Sequence, residues 1–300
     1  MSARPVLRRR VVVIGAARNC GAHLPRVLDN LAALAALYDD VRFVFAVSDS
    51  TDETLSSLER WVRHGTGRVL QLGTLEPTLP LRTMRIAAAR NACMEEVRAS
   101  YPDYDHLLVT DLDDVLASPI PTDAFREAAK WLDASAERAA VFPNSLPRYY
   151  DTWALRHETW CPVDCWHPIW ERDATESYEA AKIREVLLRQ VAIPTDLPPI
   201  PVQSAFGGFG LYKLAAALRG TYHALDERGR PTCEHVSFNL SITHAGGKLF
   251  IVPALVVQAS AEHLYRPAEF RRRWRIRMLG HRLAERVWPR WPIYIGRPTN

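Results

Sequence analysis

Long apolar runs are missing from this chain, and none approaches the roughly 20 residues that a membrane-spanning helix needs. There is no G-x-G-x-x-G, so a dinucleotide fold has no support. Internal repeats and low-complexity segments are absent too, which sets repeat arrays aside. Cysteine is scarce. Cys20, Cys93, Cys161, Cys165 and Cys233 are odd in number and too sparse for a disulfide scaffold, and the compartment they imply is a reducing cytoplasm. Lysine is scarcer still, with only Lys130, Lys182, Lys213 and Lys248. The basic start MSARPVLRRR runs into VVVIGAA and RNCG without a cleavage pattern, and reads as a first strand instead of a signal peptide.

What is present is an ordinary globular composition, 48% hydrophobic and 24% charged over 300 residues, enough for a substantial core. The net charge of +4 is uneven. Residues 266–300 hold ten arginines against Glu269 and Glu285, a local +8 that leaves −4 for the first 265 residues.

Apolar strands at 11–17, VRFVFAVS, RVLQLG and DHLLVTD alternate with helical spacing in GAHLPRVLDNLAALAALY, TLSSLERWV and TMRIAAARNACMEEV. This rhythm predicts an α/β fold, a mostly parallel sheet with helices on both faces. Ligands collect at the carboxyl ends of such strands, where Arg18, Asp49, Asp111 and Asp113 fall. After about residue 140 the pattern breaks. FPNSLPRYYDTWALRHETWCPVDCWHPIWERD has no clear period and reads as a long structured loop. A helix over ESYEAAKIREVLLRQV, a proline-rich connector from Ile193 to Pro201, a glycine-broken strand SAFGGFGLYK, a helix CEHVSFNLSITHAG and a strand KLFIVPALVVQ follow.

In DHLLVTDLDDVLASP, Asp111, Asp113 and Asp114 stand hard against an apolar strand. A solvated turn would account for one aspartate. Three, with Asp111 and Asp113 at period two, predict a hard divalent cation, Mg²⁺ or Mn²⁺. Two enzyme classes use this pattern. One is a phosphatase of the aspartyl-nucleophile (HAD-like) type, with Asp111 as nucleophile; the other is a nucleotide-sugar transferase whose DxD holds a metal on a diphosphate. The phosphatase ranks second: its motif opens the fold, whereas some 100 residues precede this one, and no lysine stands before an acidic pair. In VSDSTDET, Ser50 and Glu53 have capping-box spacing, and Asp49 is left over to accept from a base or ribose. Arg18 suits a phosphate. Arg90–Asn91 stands in an otherwise small, apolar setting.

With these residues in hand, the chain from about residue 10 to 265 resembles a GT-A glycosyltransferase, broadly the large family-2 type and closer in flavour to the capsule-associated mannosyltransferase-like proteins. The resemblance implies a mixed, mostly parallel sheet flanked by helices, with the aromatic-rich loop inserted on the acceptor side. It divides the chain into a nucleotide-sugar half (10–120), an acceptor half (140–265) and a basic extension (266–300). It implies that Arg18, Asp49, Arg90, Asn91 and Asp111 serve the nucleotide sugar, and that Asp111, Asp113 and His263 hold the metal. FGGFG, with Gly207 and Gly208, matches the family's glycine-rich strand on the acceptor side. Glu234–His235 stands where the family has an acidic pair whose carboxylate takes the acceptor proton. The histidine leaves open which residue is the base, and whether configuration is inverted or retained.

Trp153 and Trp166 offer faces that stack on sugars, and Asp164 a carboxylate to orient an acceptor hydroxyl. The spacing H-x3-C-x3-C-x-H over His157, Cys161, Cys165 and His167 lacks the C-x2-C knuckle of structural zinc and is not read as a zinc site. The basic segment, with Trp274, Trp288 and Trp291 among arginines, would suit nucleic acid or an anionic membrane. Behind a DxD transferase, whose acceptors are often lipid-linked or envelope glycans, the membrane is the expected partner and nucleic acid is not. The expected protein moves a sugar to a glycan in polysaccharide synthesis, in the cytoplasm and peripheral at the inner membrane.

Overall fold

A computed structural model describes residues 7–63 and 66–264; the basic segment lies outside them. In chain order the elements are β1 (Leu7–Ala17), α1 (Leu24–Ala35), β2 (Tyr38–Ser48), α2 (Thr54–Val62), β3 (Gly67–Gly73), α3 (Arg82–Ser100), β4 (His106–Asp111), α4 (Thr122–Asp133) and β5 (Arg138–Leu146). Then come α5 (His167–Trp170), α6 (Tyr178–Glu185), β6 (Ile200–Val202), β7 (Phe209–Lys213), α7 (Leu214–Ala217), α8 (Glu234–His244) and β8 (Lys248–Gln258). One eight-stranded sheet runs in the order β3-β2-β1-β4-β7-β5-β8-β6. The pairs among β1 to β4 are parallel, as is β5 with β8; β7 runs antiparallel to both β4 and β5, and β6 to β8. Among the described residues no helix is long and apolar enough to cross a membrane.

Strand alternation builds a core on each face of the sheet. Val12, Ile14, Val44, Ala46, Leu107 and Val109 point to one face, where α3 and α8 add Cys93, Met94, Val97, Val236 and Phe238. Val11, Val13, Phe43, Phe45 and Leu108 point to the other, beneath Leu24, Leu28 and Leu31 of α1, Leu58 of α2 and Phe125 of α4. Both faces are covered, so the central strands carry continuous apolar runs. Register then aligns the strand ends. Ala16 of β1 lies beside Asp111 and Ala17 beside Val47, which brings Arg18, Asp49 and Asp111 to one edge of the sheet.

The second half differs from the sequence reading in three places. FPNSL is strand, not loop: β5 pairs in parallel with β8, with a register shift between Pro143 and Asn144. A proline has no N–H for the ladder and obscures a strand at that point. The helix predicted over 176–191 stops at Glu185 and gives way to a 3-10 turn. The box expected from Ser50 and Glu53 is absent, because α2 starts at Thr54 with no side-chain cap on Glu53. Ser50 instead accepts from the Asn19 N–H (3.1 Å), and Asp52 from the N–H groups of Gly21 and Thr54. The polar residues after β2 tie the loop after β1 to the start of α2.

Candidate active site

β4 delivers Asp111 to the strand-end edge, where its N–H donates to the Gly208 carbonyl at 2.8 Å. Asp113 then caps a 3-10 turn, its Oδ1 accepting the Val115 N–H at 3.3 Å. The turn swings Asp114 round to Glu262 and His263, and ligand atoms of these three lie within 4.8 Å of one another. Of the expected set Asp111, Asp113 and His263, the histidine here lies beside Asp114 and Glu262. Two carboxylates and an imidazole are a donor set that fits Mn²⁺ or Mg²⁺. Asp111 and Asp113 remain beside it. Burial, then Asp113, pushes the Asp111 carboxyl up against the opposing pull of Arg90; burial also raises Asp113. The Asp111 side chain keeps 28% of its surface open, which is the side from which a cation can approach.

Arg90 joins the two halves of the sheet edge. It is buried, its Nη2 is 2.8 Å from Asp111 Oδ1, and its Nη1 bonds to Glu234 Oε1 and abuts His235 Nε2. Its guanidinium also sits over the rings of Phe206 and Tyr222, at 5.1 and 5.8 Å. His235 is enclosed beside it. Phe206 stacks on its ring at 3.5 Å between centroids, and it is 3% exposed. Burial and the Arg90 charge hold its pKa well below the usual histidine value. The Asn91 amide donates to the Tyr222 carbonyl and accepts the Tyr222 N–H (2.9 and 3.0 Å), a strut between α3 and the chain before α8.

On the β2 side, Asp49 takes a left-handed backbone (φ 52°), and its Oδ1 accepts the N–H groups of Leu75 and Glu76 at 2.9 and 3.0 Å. Burial would raise its carboxyl, but these donors and Ser48 outweigh it and keep the group below the usual range. Arg18 reaches Glu76 at 3.7 Å and is largely open. The structure thus gathers Arg18, Asp49, Arg90, Asp111, Asp113 and Glu234 along one edge.

Asp164 lies in the aromatic-rich insertion. It is 5% exposed and saturated by Arg156 (2.8 Å), Thr232 (2.9 Å), Trp153 Nε1 (3.2 Å) and the Trp166 N–H (2.8 Å). It anchors the insertion and has no edge free for an acceptor. Trp153 spends its N–H on that anchor, and Trp166 stacks on the exposed Trp170 at 6.2 Å. His157 accepts N–H groups of its own loop, His167 Nε2 bonds to the Pro231 carbonyl, and Cys165 donates to Thr152. Gly207 and Gly208 both have positive φ (71° and 101°), and Gly207 donates its N–H to Asp151 Oδ2 at 2.9 Å.

Asp151, Asp114 and Glu262 were not singled out by the sequence reading as site residues. The signal for Asp151 was there: one carboxylate in the aromatic run YYDTW. Asp114 was noticed but given no partner, because Glu262 lies 148 positions further on and only the return of β8 brings it near.

No family model matches this chain, and no curated protein matches it. Among solved structures it resembles the mannosyltransferase PcManGT from Pyrobaculum calidifontis in complex with GDP-Man and Mn²⁺, at 20% identity and a TM-score of 0.51, over 95% of this chain and 66% of that one. TarS of S. aureus (residues 1–349) aligns at 15% identity and a TM-score of 0.48, over 84% of this chain and 60% of that one. The chain spans about three fifths to two thirds of the length of these structures. The mixed, mostly parallel eight-stranded sheet with flanking helices, matched to the mannosyltransferase, is a GT-A fold.

Proposed function

We propose that this protein is a metal-dependent glycosyltransferase that moves a sugar from a nucleotide-diphosphate donor to a glycan or lipid-linked glycan. One observation carries the reading. The carboxylates of Asp111, Asp113 and Asp114, with Glu262 and His263 beside them, stand at the same sheet edge as Arg18 and Asp49, where a donor would lie in a GT-A fold. The mannosyltransferase of like fold is described with GDP-Man and Mn²⁺, which fits that placement. Asp114, Glu262 and His263 would hold the ion with help from Asp111 and Asp113. When bound, it supplies Lewis-acid neutralisation of charge on the departing diphosphate. Arg18 would bind phosphate, and Asp49, with Oδ1 committed to its own turn, would offer Oδ2 to the base or ribose.

The phosphatase alternative is disfavoured. Its nucleophile would be Asp111, which here is paired with Arg90, and its lysine has no candidate. Lys130 and Lys248 pair with surface glutamates, Lys213 bonds to the Ser135 carbonyl, and Lys182 lies over Trp166.

Thermal-shift screening of UDP-, GDP- and CMP-sugars with and without Mn²⁺ tests the proposal. One donor should stabilise the protein only with metal, and Asp113→Asn or Asp114→Asn should abolish that gain while the apo melting temperature holds. Phosphoester turnover lost in Asp111→Asn, with no nucleotide-sugar binding, would reverse the reading.

A further inference from the structure

Resting on the transferase reading, we propose that Asp151 takes the proton from the acceptor hydroxyl. The two residues in the position expected of a base are both engaged. Glu234 spends Oε1 on the buried Arg90 guanidinium, which turns that oxygen toward α3. His235 lies under Phe206 with Nε2 against Arg90. Asp151 is oriented differently. Its oxygens accept only neutral backbone donors, Gly207 N–H at 2.9 Å on Oδ2 and Ala154 N–H at 3.3 Å on Oδ1. That fixes the carboxylate in place while leaving lone pairs free, with no arginine or lysine bonded to it among the described residues.

Its position is equally specific. Gly207 bonds to Asp151 and the adjoining Gly208 carbonyl bonds to the Asp111 N–H, so one dipeptide separates Asp151 from the donor-side strand end. On its other flank Tyr150 stacks on His263 at 5.4 Å and 15°. Glu234, Asp111 and the His263 imidazole lie around it, and burial raises its carboxyl above the ordinary range, the direction that suits a base working near neutrality. In the step itself the acceptor oxygen bonds to the anomeric carbon of the donor. The bond from that carbon to the diphosphate oxygen breaks and its electron pair leaves with the nucleoside diphosphate. The hydroxyl proton goes to Asp151, a single displacement that inverts configuration.

Azide separates a base from a scaffold, because it is an anionic nucleophile with no proton to lose. The full chain is given Mn²⁺ and whichever UDP-, GDP- or CMP-sugar raises its melting temperature, and release of nucleoside diphosphate is followed with water or azide as acceptor. Asp151→Asn should keep donor affinity within about 3-fold and fold normally by circular dichroism. Its hydrolysis should fall by about 10²-fold or more, and azide should restore donor consumption with a glycosyl azide of inverted configuration as product. Hydrolysis near wild-type level in Asp151→Asn, loss of donor binding, absence of azide rescue, or rescue in Glu234→Gln instead would each overturn the assignment. Donor binding without any transfer in the wild type counts against it as well. If no nucleotide sugar binds the wild type at all, the transferase reading itself has failed.

Discussion

A guanidinium that is 4% exposed must be neutralised where it stands, and Arg90 is neutralised by Asp111 from one direction and Glu234 from the other. Removing it leaves two carboxylates facing each other without a counter-charge, and breaking a buried pair in this way costs about 3–5 kcal/mol. Arg90→Met should therefore unfold in urea at a lower midpoint by that order, and addition of Mn²⁺ should recover part of the loss by compensating Asp111. A midpoint within about 0.5 kcal/mol of wild type would show that the cluster is solvated and not a structural knot. Arg90 stood out in the sequence as an arginine in a small, apolar setting. Its partners did not, because Glu234 is 144 positions away and nothing local announces that α8 starts against α3. The same limit explains Asp164. A carboxylate amid tryptophans reads as a sugar ligand until Arg156 and Thr232, its saturating partners, are seen.

At the scale of elements, the strand-end turn and the glycine pair fix where chemistry can occur. Gly208 has φ 101°, and a Cβ there would lie 2.7 Å from Val115 Cγ1 and 3.3 Å from Leu116 Cδ2. Gly208→Ala combines a backbone that only glycine adopts readily with overpacking of the turn that carries Asp113 and Asp114. About 1–3 kcal/mol of stability should be lost, and donor binding should weaken along with it, both measurable by denaturation and calorimetry. A second element-level tie joins the start of β4 to the end of α4: His106, buried, bonds to Tyr38 through Nδ1 (3.1 Å) and to Asp133 Oδ1 through Nε2 (2.9 Å). Burial pushes the Asp133 carboxyl up, but His106 and Arg9 outweigh it and hold its folded pKa below the unfolded value of about 3.9. The stabilisation is therefore present above about pH 4 and is lost as pH falls through the folded value. Urea titrations of wild type and Asp133→Asn should differ at pH 6 and converge as pH falls below the folded Asp133 value; a gap of constant size would remove Asp133 from the acid response. These contacts were illegible in sequence for a simple reason. The apolar period announces that β4 and α4 exist, whereas the polar clasp between them depends on their packing. β5 was missed on other grounds, since Pro143 and Asn144 interrupt a strand whose pairing with β8 shifts at that very point.

Across the whole molecule, charge is divided in a way that the fold does not require. The first 265 residues sum to −4, and the final 35 to +8 with three tryptophans among them. A transferase whose acceptor is a lipid-linked glycan needs its carboxylate-rich, anion-repelling body held near an anionic surface, and a cationic segment would supply that attraction. Each basic residue near such a surface is worth up to about 1 kcal/mol, and salt screens the attraction. Liposome co-sedimentation of the full chain should then require anionic lipid, weaken as salt rises from 50 to about 500 mM, and fall sharply on truncation after Pro267. Circular dichroism of the truncated chain decides whether the lost binding is electrostatic or a consequence of unfolding, since Trp274, Ile276 and Leu279 are apolar enough to matter to the body. Replacing Arg271, Arg272 and Arg273 together by glutamine keeps those apolar residues and should still lower binding by an order of magnitude or more at 100 mM salt. A full-length protein indifferent to anionic vesicles at low salt would end the membrane proposal and leave the transferase reading untouched, because donor binding belongs to the sheet edge and the tail carries none of its residues.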